Sequence, residues 1–339
     1  MHILIAGVGG IGGPLAADLL VNGLDVDLLT DNPDITKAIR KSGIHVEKFN
    51  GETVDIKARA YTNAEEVHKN YDAIFLIMKA YAVREAIAST SPLLKESGYF
   101  VTFQNGIIED LILDLVPEHR IIPCTVGWGG SMISPGVYRR TSRGVNIIGE
   151  LDGTISERVK NLKEILELNS ETRVTTNIKG VKWSKLAINS SINSVGVITG
   201  EVLKRTLGDR KARQIFLKIY SEVVELARAQ NIVPERIVAD PLLFYVPPDA
   251  GKVKRFIKDR LVWFVGRRYG NVKSSSLQSL ERGRPTENEY LNGYVVRKAQ
   301  ELQMQVPANR AVYEMVREIE EGSRSPSLMN LDELYDRIF

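Results

Sequence analysis

A single cysteine, Cys124, stands in a chain of 339 residues, which excludes an intrachain disulfide and a thiolate cluster for zinc. Histidine is nearly as scarce, and His2, His45, His68 and His119 show no metal-ligand spacing, so no metal is expected. No apolar run reaches the roughly 18 residues that span a bilayer. The apolar N-terminus is broken by glycines and followed at once by Asp18, Asp25 and Asp27, unlike a secretory leader, and reads as a buried strand. Charge of one sign is also not in excess: 45 Lys and Arg are interspersed with 42 Asp and Glu, for a net charge of +3. That balance gives no field of the kind that holds nucleic acid. The expectation is a reduced, cytoplasmic chain with neither membrane nor nucleic acid as a partner.

What is present suits a globular protein, with 43% hydrophobic and 26% charged residues. The length exceeds the usual reach of one core and points to two domains. Over the first half, short apolar runs alternate with helical patterns, as βαβ units on a doubly wound parallel sheet do. Strands are expected at His2–Ala6, Val26–Thr30, Ala73–Met78, Tyr99–Phe103, Ile121–Val126 and Val145–Ile148. A helix follows the first glycines until Gly23 stops it, another lies between the third and fourth strands, and a further one runs from Ile107 onward. From Gly180 the texture turns helical, over 180–197, 209–230 and 287–303, with a short helix at the C-terminus. The expected division is therefore 1–179, an α/β dinucleotide-binding domain of Rossmann type, and 180–339, an all-helical substrate domain that also mediates dimerisation. The active site is expected in the cleft between them.

Gly7-Val8-Gly9-Gly10-Ile11-Gly12 sits between the first strand and its helix, the context that gives a G-x-G-x-x-G run its meaning. Gly7 permits the tight turn, Gly9 lets a pyrophosphate approach the backbone, and Gly12 allows close packing. The free amides and positive end of the helix face the anion. Asp31 falls at the end of the second strand, about twenty residues on, where a carboxylate receives the adenosine ribose hydroxyls and opposes a 2′-phosphate. This favours NAD(H) over NADP(H). The alternative is that Asp31 opens the turn Asp31-Asn32-Pro33.

Three further segments, spanning nearly the whole chain, resemble ketopantoate reductases of the 6-phosphogluconate dehydrogenase-like superfamily. The first is Met78-Lys79-Ala80 with Gln104-Asn105-Gly106, each after a strand; the resemblance implicates Lys79 and Asn105 in contact with cofactor and substrate. The second runs from Lys182 to Asn193, where Lys185, Asn189 and Asn193 are four apart and form a polar stripe on a helix. An ammonium beside a carbonyl supplies both a proton and a stabilising field as hydride arrives, and the resemblance gives that role to Lys185. The third runs from Lys273 to Glu287 and on to Asn292-Gly293, where the resemblance assigns Ser275 to the substrate carboxylate and Glu287 to its hydroxyl. Thr286 and Glu289 also have capping-box spacing, which alone would account for Glu287 as a residue of a first helical turn.

The resemblance implies reduction of 2-dehydropantoate to pantoate, in pantothenate and coenzyme A biosynthesis, by a homodimer of the kind common in the superfamily. Lys185, Glu287 and Asn105 would serve catalysis, and Asn189, Asn193 and Ser275 would hold the substrate. The chain departs from the family pattern where many members carry arginine, here Asp31, and where an asparagine is common, here Val272. Ser275-Ser276-Leu277-Gln278-Ser279 also lacks the acid often found at its last position. The stretch from Asp240 to Tyr269 is longer than is typical, and its Phe244, Tyr245, Trp263, Arg267 and Arg268 suit a lid, a reshaped pocket or a dimer contact. Leu242–Val246 is the apolar segment suited to that contact. Two alternatives stay open: reduction of another 2-oxo acid or an imine, and a catalytically silent NAD-binding regulator.

Overall fold

The computed structural model describes residues 1–237 and 240–339; Val238 and Ala239, inside the proline-interrupted stretch, lie outside the described residues. The chain divides into two compact units. The first holds Met1–Gln104 and Ile108–Ile178, and the second holds Asn105–Ile107 and Lys179–Phe339. The three residues Asn105–Ile107 thus fall with the helical unit, although they lie within the 1–179 range.

The first unit opens with β1 (His2–Ala6), α1 (Gly12–Val21), β2 (Asp25–Leu29), α2 (Pro33–Ser42), β3 (Ile44–Glu47), β4 (Thr53–Ile56) and β5 (Arg59–Tyr61). It continues with β6 (Tyr71–Leu76), α3 (Val83–Thr90), β7 (Leu94–Thr102) and β8 (Ile121–Val126). β9 (Gly130–Ser134), β10 (Val137–Arg140), β11 (Asn146–Ile148), α4 (Glu157–Glu167) and β12 (Thr172–Val174) complete it. Among the described residues the main sheet has the order β12-β11-β8-β7-β6-β1-β2-β5 and is parallel except where β11 meets β8. β1 pairs with β2 on one side and β6 on the other, so the winding reverses there, which is where α/β sheets open a crevice for ligands. Ile3, Ile5, Val26, Leu28 and Phe75 from the sheet pack with Leu15 and Leu19 of α1 and Leu162 and Leu166 of α4.

A second sheet, β4-β3-β10-β9, was not expected from the sequence. Its strands are four or five residues long and half exposed, so they carry too little apolar signal to be read. The helix expected from Ile107 shrinks to a 3-10 turn at Glu109–Leu111. There Arg84 Nη1 donates to the Leu111 carbonyl at 2.6 Å, occupying an acceptor that a continuing helix uses internally.

The second unit contains α5 (Ile178–Thr199), α6 (Leu203–Thr206), α7 (Arg210–Ala229), α8 (Lys252–Tyr269), α9 (Ser275–Glu281), α10 (Asn292–Glu301), α11 (Pro307–Glu320) and α12 (Asn330–Ile338). α5 is buried on nearly all sides, polar residues included. Three of its hydroxyls bond to its own carbonyls one turn back, Ser184 to Gly180 at 3.0 Å, Ser191 to Ala187 at 2.8 Å and Thr199 to Val195 at 2.9 Å, while the buried Ser190 hydroxyl has no partner among the described residues. The helix expected over 287–303 is broken at Leu291, whose ψ of -93° leaves a 3-10 turn at Asn288–Tyr290 ahead of α10. The Thr286–Glu289 capping box does not form. Thr286 Oγ1 accepts the Asn288 amide at 3.0 Å, while Glu289 turns to Tyr313 Oη at 2.6 Å. Glu287 therefore precedes a 3-10 turn instead of entering an α-helix.

Leu242–Val246 is fastened to α7. Phe244 packs edge-on to Phe216 and Tyr220, and the Val246 amide donates to Ser221 Oγ at 3.0 Å. Leu242 stays exposed, and further exposed apolar side chains lie on α8, at Val253, Phe256, Ile257 and Phe264.

One buried acid ties the helices together. Glu222 of α7 accepts the amides of Ala308 and Asn309 at the start of α11, at 3.1 and 3.0 Å, and Asn309 Nδ2 at 2.8 Å. Asn309 Oδ1 accepts from Asn292 Nδ2 at 3.0 Å, and that amide also reaches the Ser190 carbonyl of α5 at 3.3 Å. Burial pushes the Glu222 carboxyl above its ordinary value near 4.5, and the amides pull it part of the way back. The folded state thus binds this proton more tightly than the unfolded chain, so the contribution of the group to stability falls as pH rises from about 4.5 through the folded value. Glu222→Gln, which removes the titration, is expected to destabilise the fold most at low pH. Its cost relative to the wild type shrinks as pH rises through that window, as measured by urea melts across pH; a constant difference would contradict this.

Candidate functional site

Within the first unit the glycine turn leaves β1 at its C-terminal end. Gly7 has φ of +103°, and a Cβ there would lie 2.6 Å from the Ile77 carbonyl carbon, so only glycine fits. A Cβ on Gly12 would sit 2.0 Å from the Gly7 oxygen, which closes the turn onto the first coil of α1. Gly9 is different: a Cβ there would meet nothing within 4 Å, so its open face is turned away from protein. Val8 is buried, Gly10 and Ile11 are half-buried, and no side chain caps the N-terminus of α1 and no acid occupies its first turn. An open backbone face beside uncapped amides fits a bound pyrophosphate, so the residues present accommodate a dinucleotide.

At the end of β2 the capping of α2 falls to Asn32, whose Oδ1 accepts the amides of Asp34 and Ile35. Asp31 is exposed and stands apart from that cap, so the turn is built without its carboxyl. Lys79 is half-buried and lies two residues beyond the strand extension after β6, directly ahead of a 3-10 turn.

Within the second unit, α5 places Lys185 and Asn189, both half-buried, and Asn193, which is 5% exposed, along one stripe. Lys182, one turn before Lys185, is itself buried. Two sequence-distant residues join this set. Ser275, at the first position of α9, donates through Oγ to Asn193 Oδ1 at 3.2 Å across 82 residues. Asn105 donates through Nδ2 to Glu287 Oε2 at 3.3 Å across 182 residues. Glu287 is only 3% exposed, and its neighbours Thr286 and Asn288 line a small pocket with Asn193, Ser194 and Asn292. Five of the proposed substrate residues are thereby gathered in one unit with Lys185, while Lys79 and the glycine turn belong to the other unit.

Two glycines make these meetings possible, and neither stood out in the sequence for that reason. A Cβ on Gly196 of α5 would lie 2.5 Å from Ser274 Oγ, so α9 begins against α5 one turn beyond Asn193. Gly106 has φ of +80°, and a Cβ there would approach the Tyr290 carbonyl oxygen to 2.5 Å, which lets the Asn105 loop lie against the turn that follows Glu287.

Residues 3–153 match the family model described as ketopantoate reductase PanE/ApbA, and residues 177–320 match that of its C-terminal domain. The chain belongs to the ketopantoate reductase PanE/ApbA family. Among curated members, the 2-dehydropantoate 2-reductase of Pyrococcus horikoshii is 29% identical over 320 residues, covering 94% of this chain and 97% of the relative. A PanE/ApbA family ketopantoate reductase from Ralstonia eutropha JMP134 superposes with a TM-score of 0.80 at 24% identity, over 95% of this chain and 99% of its own. D-mandelate dehydrogenase, solved with NADH and anilino(oxo)acetate, gives a TM-score of 0.81 at 21% identity, over 95% and 99% of the two chains. Such structural likeness bears on the fold alone, and family membership makes the chain an oxidoreductase.

Gly106→Ala is expected to cost about 1–3 kcal/mol, because it combines a left-handed backbone position with a backbone clash. Denaturant unfolding measures this; a change below about 0.3 kcal/mol would show that the Asn105 loop is not held as described.

Proposed function

We propose that the chain is an NAD(P)H-dependent reductase of 2-dehydropantoate, making pantoate in pantothenate and coenzyme A biosynthesis, with NADH the preferred cofactor. The observation that carries this reading is the meeting of Asn193 with Ser275 and of Asn105 with Glu287 in the unit whose central helix bears Lys185. A 2-oxo acid with a distal hydroxyl presents a carboxylate, a carbonyl and an alcohol, and these side chains offer a partner to each. The names of the archaeal relatives support the choice of substrate.

The glycine turn would hold the pyrophosphate of the dinucleotide, whose reduced nicotinamide would supply the hydride for the keto carbon. Ser275 Oγ and the Asn193 amide hold the carboxylate and fix the keto acid in one orientation. Glu287 accepts a hydrogen bond from the substrate hydroxyl, while its other oxygen keeps Asn105 in place. Lys185 gives its ammonium proton to the keto oxygen as the carbonyl electron pair moves there, and Asn189 donates to the same oxygen. Holding three substrate groups lowers the entropic barrier to the transfer, and the ammonium stabilises the charge growing on oxygen. Lys185→Met is expected to lower kcat by roughly 10²- to 10⁴-fold with NADH affinity nearly kept. Steady-state turnover alongside NADH fluorescence titration checks this, and undiminished turnover removes Lys185 from the mechanism.

The preference for NADH is supported by Asp31, exposed at the end of β2 and not engaged in capping α2. A carboxylate there accepts ribose hydroxyls and repels a 2′-phosphate. Asp31→Arg is expected to move the ratio of kcat/KM values toward NADPH by at least tenfold; an unchanged ratio places cofactor choice elsewhere.

A second reading, reduction of a different 2-oxo acid, is favoured by Val272 and Ser279 at the rim of the Ser275 helix, where the family pattern is lost. A panel of 2-oxo acids assayed with NADH ranks the two. The proposal extends to a cytoplasmic homodimer, for which the exposed apolar side chains of α8 offer the supporting surface.

A further inference from the structure

The unforeseen second sheet reaches the glycine turn at one point. Tyr138, in the centre of β10, is fully buried and donates through Oη to the Val8 carbonyl at 3.0 Å, across 130 residues. β10 pairs with β3 on one edge and β9 on the other, so the tyrosine backbone is held from both sides. Its ring lies where a Cβ on Gly13 would be, 2.6 Å from the ring carbons, which explains a glycine inside the first turn of α1. The neighbouring strand closes the same contact: a Cβ on Gly10 would lie 2.4 Å from the Gly130 oxygen, and one on Gly130 would lie 2.0 Å from the Gly10 oxygen.

The bond to Val8 has a geometric consequence. A trans peptide is planar, with its carbonyl oxygen and its N–H pointing in opposite directions. Fixing the Val8 oxygen inward, toward the second sheet, therefore aims the Gly9 N–H outward. That is the residue whose open face meets no protein atom within 4 Å of a built Cβ. The next peptide is fixed as well, because the Gly9 carbonyl accepts the Gly13 amide at 2.9 Å. Free glycine peptides rotate readily and lose much entropy on ordering, so an anchor of this kind presets the donor before ligand arrives.

We propose that Tyr138 is a positioning residue for the dinucleotide: its hydroxyl, through the Val8 carbonyl, presents the Gly9 amide to the pyrophosphate. The proposal rests on the dinucleotide reading of the glycine turn. It assigns to the second sheet a part in cofactor affinity and none in the chemistry of reduction.

The test compares Tyr138→Phe with Tyr71→Phe in the full-length protein. Tyr71 is an equally buried tyrosine of the same unit, whose hydroxyl donates to Asp27 Oδ2 at 2.7 Å at the start of β6, and its loss controls for general weakening. Dissociation constants for NADH are measured by fluorescence titration, and kcat at saturating NADH is measured beside them. Tyr138→Phe removes the bond to the Val8 carbonyl and is expected to weaken NADH binding about tenfold, the worth of one hydrogen bond between the pyrophosphate and a preset Gly9 amide, with kcat within twofold of the wild type. Tyr71→Phe is expected to leave the dissociation constant within twofold. Gly130→Ala, which drives a Cβ into the Gly10 carbonyl, is expected to weaken binding at least as much, and it carries the test should Tyr138→Phe not fold. An NADH affinity within twofold of the wild type in Tyr138→Phe, or an equal loss in Tyr71→Phe, overturns the proposal. A wild-type protein that binds neither NADH nor NADPH overturns the dinucleotide reading itself, a separate result.

Discussion

The first unit depends on backbone approaching backbone more closely than any side chain permits. Gly7 lies against Ile77, Gly12 against Gly7, and Gly10 against Gly130, each at a distance a Cβ would abolish. These contacts bend the chain from β1 into α1 without a capping side chain, so the amides that would otherwise be spent inside the protein stay available for an anion. Helix stability is recovered elsewhere, through Leu15 and Leu19 in the core and through the second sheet behind the turn. An uncapped helix end is thus a local deficit that tertiary packing offsets.

The second unit solves the reverse problem, burying polar groups where a core would favour apolar ones. α5 carries lysine, serine and asparagine through the middle of a helical bundle, and the hydroxyls of Ser184 and Ser191 return to carbonyls of their own helix. Around it, Glu222, Asn309 and Asn292 connect α7, α11 and α10 to the Ser190 carbonyl. The shared bonds of Glu222, Asn309 and Asn292 tie α5 to three neighbouring helices at the Ser190 carbonyl, which restrains the rotation of α5 and with it the direction of Lys185, Asn189 and Asn193.

Long elements were legible in the sequence because their apolar period is unambiguous. β1 and β8 were read at their observed ends, and the two long helices of the second unit to within two residues. The strands of the second sheet escaped because they are only four or five residues long and bury few apolar side chains, too short a run to stand out from turns. The helix after Ile107 and the Thr286 capping box failed for a different reason: tertiary partners, Arg84 in one case and Tyr313 in the other, claimed groups that local pattern assigned to a helix. The candidate site residues were recognisable by resemblance. Their pairing was not, since Ser275 with Asn193 and Asn105 with Glu287 are contacts that only folded distance reveals.

The grouping of Asn105–Ile107 with the helical unit, between Gln104 and Ile108 of the other, bears on how the gene can be rearranged. A breakpoint near residue 178 looks like a clean seam in the sequence, yet a helical half inherited from that point lacks Asn105 and leaves Glu287 without its amide partner. Recombination that swapped one half for a homologous one would separate two residues that must match. The two halves are therefore expected to diverge together, as one inherited module, and not as interchangeable parts.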